Sequence, residues 1–428
     1  MTRLFLSPPN GELSATIAVP GSKSIANRAL VCAMLADGDS RLSGIPTGDD
    51  TNVIVSVLTE LGMLTKIASN DVVVSGSRQV RLPGIVDAQL AGTSSRFLTA
   101  LAALSESTTI IDGGDALRSR PMNDLHVALS ELGADVNPLG ESGHLPVSVS
   151  MGKMIGGEIS INGDVSSQFI SALMLIAPVL PRGLSISVVG PLVSRSYVEM
   201  TARVMSDFGV PVVIEDSRII INQSLYRPRE YVVEPDYSSA AFPLAAIVMK
   251  HGEVRIPHLG TSHLQGDSAI IAILEQMGVD CVRDGDDIVV RRPQSSVLKP
   301  LSMDMSDCSD LVPVVATVCA VIPGESRISG VGFIRNKESD RLGDLAAELI
   351  KAGADCGVTD DGLIIRGRTQ LHSATFDTHH DHRLAMALAL VSLNAGDSTI
   401  NNSGVVTKSW PSFYSDMSPI LGVSVPEN

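Results

Sequence analysis

Cationic side chains in this sequence recur beside stretches that read as apolar helices. Lys23 lies in Pro20-Gly21-Ser22-Lys23-Ser24-Ile25-Ala26-Asn27-Arg28, with Arg28 roughly one helical turn beyond Ser24. Gly92-Thr93 opens a second such stretch, and Arg118-Ser119-Arg120-Pro121 precedes an amphipathic one. Pro suits a first helical turn, so Arg120 is expected at a helix start. Farther along come Asp307-Cys308-Ser309-Asp310, Arg335-Asn336-Lys337-Glu338-Ser339-Asp340-Arg341, His379-His380-Asp381-His382-Arg383 and Thr407-Lys408. Helix starts carry unpaired N–H groups and the positive end of the helix dipole, so they attract phosphate and carboxylate. Arg adds a two-pronged donor and Lys a compact point charge. The chemistry these residues suit is the binding of small anions.

Each of them also has a plainer reading. A single Ser or Asp at such a place is usually an N-cap. Lys337, Glu338 and Arg341 would suit a solvated helix face with i,i+4 pairing. The Lys23 loop is not a P-loop, because GxxxxGK[ST] is missing. Three histidines in four residues invite a metal, but side chains on adjacent turn positions diverge and no HExxH spacing completes a site. No metal is expected.

The elements that must position these residues repeat. A helix ending in a hydrophobic residue and Gly, then a strand, recurs at Gly62, Gly133, Gly209, Gly278, Gly353 and Gly422, at intervals of 71, 76, 69, 75 and 69. Gly suits a helix C-terminus because one residue there often needs positive φ. Between these glycines, polar turns centred on Ser24, Ser95, Ser167, Ser239, Ser309 and His382 stand 70 to 73 apart. Apolar helices follow them over 27–36, 95–104, 168–180, 240–249, 311–322 and 383–393. A helix apolar on all sides is buried, and no single unit could bury it alone. Each unit reads βαβαββ, and three units could enclose their helices in sheet. The expectation is an α/β chain of two pseudo-symmetric domains, with a linker near 226–230. If the buried helices run parallel, six helix starts would face one cleft.

Composition bounds the rest. With 428 residues, 44% apolar and 18% charged, the chain is neither disordered nor a single small domain. Aromatics are 3%, which excludes a base-stacking platform for single-stranded nucleic acid. Net charge is −15, so a basic nucleic-acid surface is not expected and anions would be bound against the overall field. Apolar runs such as 169–180 are too short to span a bilayer. The cysteines (Cys32, Cys281, Cys308, Cys319, Cys356) are odd in number and never spaced CxxC, which favours a reducing cytoplasm. Neither a signal peptide nor a plastid transit peptide is read at the start, so a bacterial cytoplasm is expected.

The motifs, in their order along the chain, resemble the 5-enolpyruvylshikimate-3-phosphate synthase family. They are PGSKSxxNRAL (20–30), AGTxxR (91–96), RPM (120–122), SSQF (166–169), KESDR (337–341), DHRxAM (381–386) and Thr407-Lys408. The resemblance implies two domains of three βαβαββ repeats around buried parallel helices (an inside-out α/β barrel), with the active site in the cleft between them and closure on ligands. The domains would be 20–228, and 1–19 with 229–428, the N-terminal segment packing with the second. It implies transfer of the enolpyruvyl group of phosphoenolpyruvate to the 5-hydroxyl of shikimate 3-phosphate, with release of phosphate. Neither metal nor organic cofactor is implied. The partners would be those two substrates, with no nucleic acid or membrane, and the protein would be a monomer.

Site residues carry over position by position. Lys23, Ser24 and Arg28 would hold the ring and carboxylate end of shikimate 3-phosphate, and Ser166, Ser167 and Ser194, with Tyr197, its phosphate. Gln168 would lie between the substrates, and Lys337 and Asp310 would also touch shikimate 3-phosphate. Lys23, Gly92, Arg120, Arg341, Arg383 and Lys408 would grip phosphoenolpyruvate. Asp310 is the candidate base on the hydroxyl and Glu338 the candidate acid on the methylene carbon. Lys23 or Lys408 would assist at the departing phosphate, and His382 is a further candidate. Asp307 competes with Asp310 for the base role.

Two departures from the family pattern stand out. Leu90 occupies a usual Asn position, and Ser94-Ser95-Arg96-Phe97 lacks the Pro found in many members. Two rival readings fit less well. A related enolpyruvyl transferase acting on UDP-N-acetylglucosamine relies on a loop cysteine, whereas Cys32 and Cys319 fall within apolar helices. An inactive repeat scaffold leaves the recurring cations unexplained.

Overall fold

In the computed structural model, which describes residues 2–262 and 264–424, the sequence repeats become six four-stranded sheets of one design. The second repeat shows it. Ile85–Asp87 runs parallel to Thr109–Asp112, Val147–Ser150 pairs antiparallel with the latter, and Asp135–Pro138 completes the edge. A parallel pair needs a long crossover, and the buried helix Gly92–Ala102 supplies it. The last two strands need only a reversal, which follows the glycine ending each outer helix. All six of those glycines have positive φ, between 57° and 100°. The described fold is α/β throughout.

The central helices are rich in Ala, Val, Leu, Ile and Met beyond their polar first turns, and they are buried nearly all round. In Tyr237–Met249 every residue but Ser238 is buried. The outer helices are two-faced: Gly343–Lys351 buries Leu345, Ala346, Glu348 and Leu349 and turns the rest outward. No helix among the described residues is long and apolar enough to cross a membrane.

The chain divides into two compact units of three sheets each, Gly21–Glu234 and Met1–Pro20 with Pro235–Asn428. The reason is an exchange of leading strands. Leu13–Thr16 precedes the first buried helix in sequence yet pairs parallel with Gly252–Ile256. Glu230–Val232 precedes the fourth and pairs parallel with Gly38–Ser43. Arg3–Leu6 pairs with Ser398–Asn401 and Val423–Ser424, completing the sixth sheet. The stretch 226–230 is therefore no linker. The Tyr226 hydroxyl is buried and donates to the Leu175 carbonyl at 2.9 Å, and the division falls at Glu234/Pro235 rather than after residue 228.

Candidate active site

In the Gly21–Glu234 unit, the helices Lys23–Leu35, Gly92–Ala102 and Ser167–Ile176 bring their first turns together. Asn27 donates to Ser94 Oγ at 3.3 Å, Gln168 Nε2 to Thr93 Oγ1 at 3.2 Å, and Arg28 Nη2 to Ser171 Oγ at 3.1 Å. The helices begin earlier than the sequence pattern suggests. Lys23 and Gly92 are their first residues rather than loop residues, and Ser24 and Ser95 lie inside the first turn. Small polar residues read as turn, but here they pack helix against helix. Neither Ser22 nor Ala91 caps its helix through a side chain, whereas Ser166 Oγ accepts from Gln168 N. Ser194 sits in the left-handed region at the start of Arg195–Asp207.

Arg28 is 1% exposed, and desolvation lowers its pKa to about 10, partly offset by Tyr197. Its guanidinium donates to Thr201 Oγ1 at 2.7 Å and to the carbonyls of Ser24 and Tyr197 at 2.8 and 3.3 Å, besides Ser171. It lies over the rings of Phe97 and Tyr197. Lys23 pairs at 2.8 Å with Asp50, a buried carboxylate on the next helix. Asp50 was not singled out from sequence, where it looks like an ordinary first-turn acid of an amphipathic helix.

Arg120 is not at a helix start. It lies between Asp115–Arg118 and Asn123–Glu131, and Pro121 stands outside the following helix. Its guanidinium instead rests on Gly92: a Cβ there would fall 2.4 Å from Arg120 Nη1. Arg96, buried below, donates to the carbonyls of Gly92 and Pro121, each at 3.1 Å.

The other unit gathers the carboxylates. Arg341, 2% exposed, donates to Asp310 Oδ1 at 2.9 Å, to Asp381 Oδ2 at 2.7 Å, and to Glu338. Arg383 Nη2 takes the other Asp310 oxygen at 2.7 Å, and Lys408 Nζ takes Glu338 Oε1 at 2.7 Å. The nearby carboxylates raise the Arg341 pKa well above its ordinary value despite burial. These positions come from short irregular segments. Asp310 lies in the turn Ser306–Leu311, broken at Cys308, and Lys408 ends the turn Ser403–Lys408. The run 337–341 is a bend rather than a helix, so the solvated-face reading fails: Arg341 points inward because three carboxylates neutralise it there. Lys337 Nζ lies 5.8 Å from the Phe333 ring centroid.

Asp310 is thus the aspartate among the cations, while Asp307 is exposed. Glu338, Asp381 and His382 present ligand atoms within 4.8 Å of one another, but Arg341 and Lys408 already bond those carboxylates, a donor set unsuited to a cation. His382 is buried with Nδ1 3.6 Å from Glu338 Oε2. Asp381 caps its helix by accepting from Arg383 N at 2.8 Å. A further acid, Asp267, faces Asp310 and Arg383; burial first and then the Asp310 charge push its pKa up to about 7. Sequence offered no signal for Asp267. Burial pushes the Cys308 thiol up to about 12, which disfavours the thiolate.

Helix starts and bends that collect Lys, Arg and carboxylates, carried on two sets of three repeats, define an α/β protein equipped to hold small anions and shift protons. The chain belongs to the EPSP synthase (3-phosphoshikimate 1-carboxyvinyltransferase) family, whose model matches residues 8–417. Similar curated proteins include the 3-phosphoshikimate 1-carboxyvinyltransferase of Vibrio campbellii, 35% identical over 97% of this chain and 98% of its own. That of Methanocorpusculum labreanum is 36% identical over 95% of this chain and 96% of its own. A solved EPSP synthase from Acinetobacter baumannii matches over 100% of both chains, at 25% identity and a TM-score of 0.83.

Proposed function

We infer that this chain is an enzyme transferring the 1-carboxyvinyl group of phosphoenolpyruvate to the 5-hydroxyl of shikimate 3-phosphate, with release of phosphate, in the pathway to aromatic amino acids. The observation that carries it is the family match over residues 8–417. The motif positions within it are also the residues whose side chains cluster at helix starts, in bends and in short turns.

In this reading Lys23, Ser24 and Arg28 hold the ring and carboxylate of shikimate 3-phosphate. Ser166, Ser167 and Ser194 hold its phosphate, with Tyr197 beside them and Lys337 adding charge. Gln168 contacts both substrates. Gly92, Arg120, Arg341, Arg383 and Lys408, with Lys23, hold phosphoenolpyruvate; bidentate Arg suits its carboxylate and phosphate. Asp310 takes the proton of the 5-hydroxyl as that oxygen bonds to C2 of phosphoenolpyruvate. Glu338 gives a proton to the methylene carbon, producing a methyl group and a tetrahedral intermediate. Glu338 then takes a proton back from the methyl, the double bond re-forms, and the C2–O bond to phosphate breaks. Lys408, 2.7 Å from Glu338, steadies the departing phosphate. Five unpaired thiols suit a reducing compartment, and we place the enzyme in the cytoplasm.

The test is phosphate release from phosphoenolpyruvate, with shikimate 3-phosphate and UDP-N-acetylglucosamine supplied separately. Release with shikimate 3-phosphate alone is expected. Release with the nucleotide sugar alone would overturn the substrate, and silence with both from folded protein would overturn the activity.

A further inference from the structure

The turn leading into the helix His382–Ala389 has an unusual backbone. After the strand Thr375–Asp377, His379 and His380 adopt φ of 48° and 59°. Two successive residues with a Cβ in the left-handed region are disfavoured and persist only where their surroundings hold them.

The surroundings do so through Glu348, a carboxylate 1% exposed on the helix Gly343–Lys351. It accepts from Asp377 N at 3.1 Å, Lys351 Nζ at 2.8 Å and His379 Nε2 at 2.7 Å. Lys351 also reaches Asp377 Oδ2 at 3.2 Å, and Asn401 donates to Asp377 Oδ1 at 2.8 Å. His379 Nδ1 lies 3.5 Å from Asp344, and Asn402 bonds His380 Nδ1 at 3.2 Å. Asp381 follows immediately, completely buried, with one oxygen on Arg383 N and the other on Arg341 Nε. A buried carboxylate is placed at a desolvation cost, and Glu348 ties the strand end at Asp377 to His379, two residues before the Asp381 that bonds the Arg341 guanidinium.

We propose that Glu348 and the left-handed turn at His379–His380 are a positioning device that sets Asp381 and, through it, the Arg341 guanidinium that receives phosphoenolpyruvate. The proposal rests on the phosphoenolpyruvate reading of that arginine. Glu348 and His379 touch no substrate; they act through Asp381.

The test compares His379→Asn with His379→Val. Both remove the imidazole from a partly exposed position, but Asn tolerates the left-handed region and β-branched Val resists it. Val is expected to raise the phosphoenolpyruvate KM at least ~10-fold while the shikimate 3-phosphate KM stays within about twofold. Asn is expected to remain within about threefold of wild type for both, and Glu348→Gln to follow Val. Equal damage by Asn and Val would overturn the proposal, as would an unchanged phosphoenolpyruvate KM in Val or an equal rise in both constants. Calorimetric titration with phosphoenolpyruvate gives a readout apart from turnover, with Val expected to bind at least ~10-fold more weakly than wild type. Wild type that binds phosphoenolpyruvate yet releases no phosphate would sink the transferase reading and leave this comparison standing. Wild type that binds none would overturn both.

Discussion

Asp267 should make this protein less stable as pH rises toward 7, and one substitution should remove that dependence. The side chain is 4% exposed in the turn Gly266–Ser268. Oδ2 accepts from the Ser238 hydroxyl, and Oδ1 has no hydrogen-bond partner among the described residues. Burial is the largest influence, the Asp310 charge adds to it, and Arg383 and Ser238 oppose them; the result is a pKa of about 7 against an ordinary 3.8. Because the folded value lies above the unfolded one, the folded chain holds a proton that the unfolded chain has released. Stability from this group is therefore complete below about pH 4 and is lost as pH rises toward 7. At 1.36 kcal/mol per unit, the interval from pH 5 to 7 carries at most ~3 kcal/mol. Asp267→Asn keeps an acceptor for Ser238 and cannot ionise. The stability of the variant relative to wild type should thus grow by up to ~3 kcal/mol between pH 5 and 7 and level off above. Urea melts followed by Trp410 fluorescence would read it, since that sole tryptophan is buried in the same unit. Parallel pH curves for variant and wild type would refute the reasoning.

Three further outcomes are expected. Gly92→Ala places a methyl 2.4 Å from Arg120 Nη1, and displacement of that guanidinium should raise the phosphoenolpyruvate KM about 10-fold or more with little change for shikimate 3-phosphate. Steady-state kinetics showing no selective rise would remove Arg120 from that site. Glu338→Gln should bind both substrates and slow turnover by ~10²–10⁴-fold; unchanged turnover would exclude Glu338 from the chemistry. Arg28→Lys keeps the charge but cannot reproduce a fork bonded to Thr201, Ser171 and two carbonyls. It should raise the shikimate 3-phosphate KM about 10- to 100-fold, checked against an unchanged phosphoenolpyruvate KM.

The repeat was legible because its signals are local. A glycine at positive φ ends each outer helix, and an apolar stretch marks each inner one, so six units could be counted without any pairing being known. Strand exchange was not legible. Leu13–Thr16 and Glu230–Val232 carry only a few side chains each, and nothing in their pattern chooses which sheet they join. The cations were visible as sequence motifs, but their partners were not. Asp50 looks like a first-turn acid, and Glu348 looks like one more charge on an amphipathic helix. Arg120 was misplaced because Pro121, which could open a helix, here stands two residues ahead of one.

The partners of the cations lead to one more expectation. In the unit that holds them, Arg341 and Arg383 both bond the same carboxylate, Asp310, at 2.9 and 2.7 Å. Under the proposed mechanism, an incoming anionic substrate would have to share or displace Asp310, the proposed base. That arrangement lets a chain of net charge −15 hold Arg341 and Arg383 as neutralised cations. Under that mechanism it would also link binding to chemistry: as the arginines turn to the substrate carboxylate, Asp310 gives up its ionic partners and is freed to act on the hydroxyl. Asp310→Asn removes both the competitor and the base. Phosphoenolpyruvate affinity in that variant should match wild type or exceed it by up to about 10-fold, because two guanidiniums give up an ionic partner before the ligand arrives. Turnover should fall by ~10²–10⁴-fold. Calorimetry and phosphate release on the same preparation separate the two effects. Binding weakened about 10-fold or more would mean that Asp310 organises the arginines rather than competing for them, and the linkage between binding and chemistry would fail.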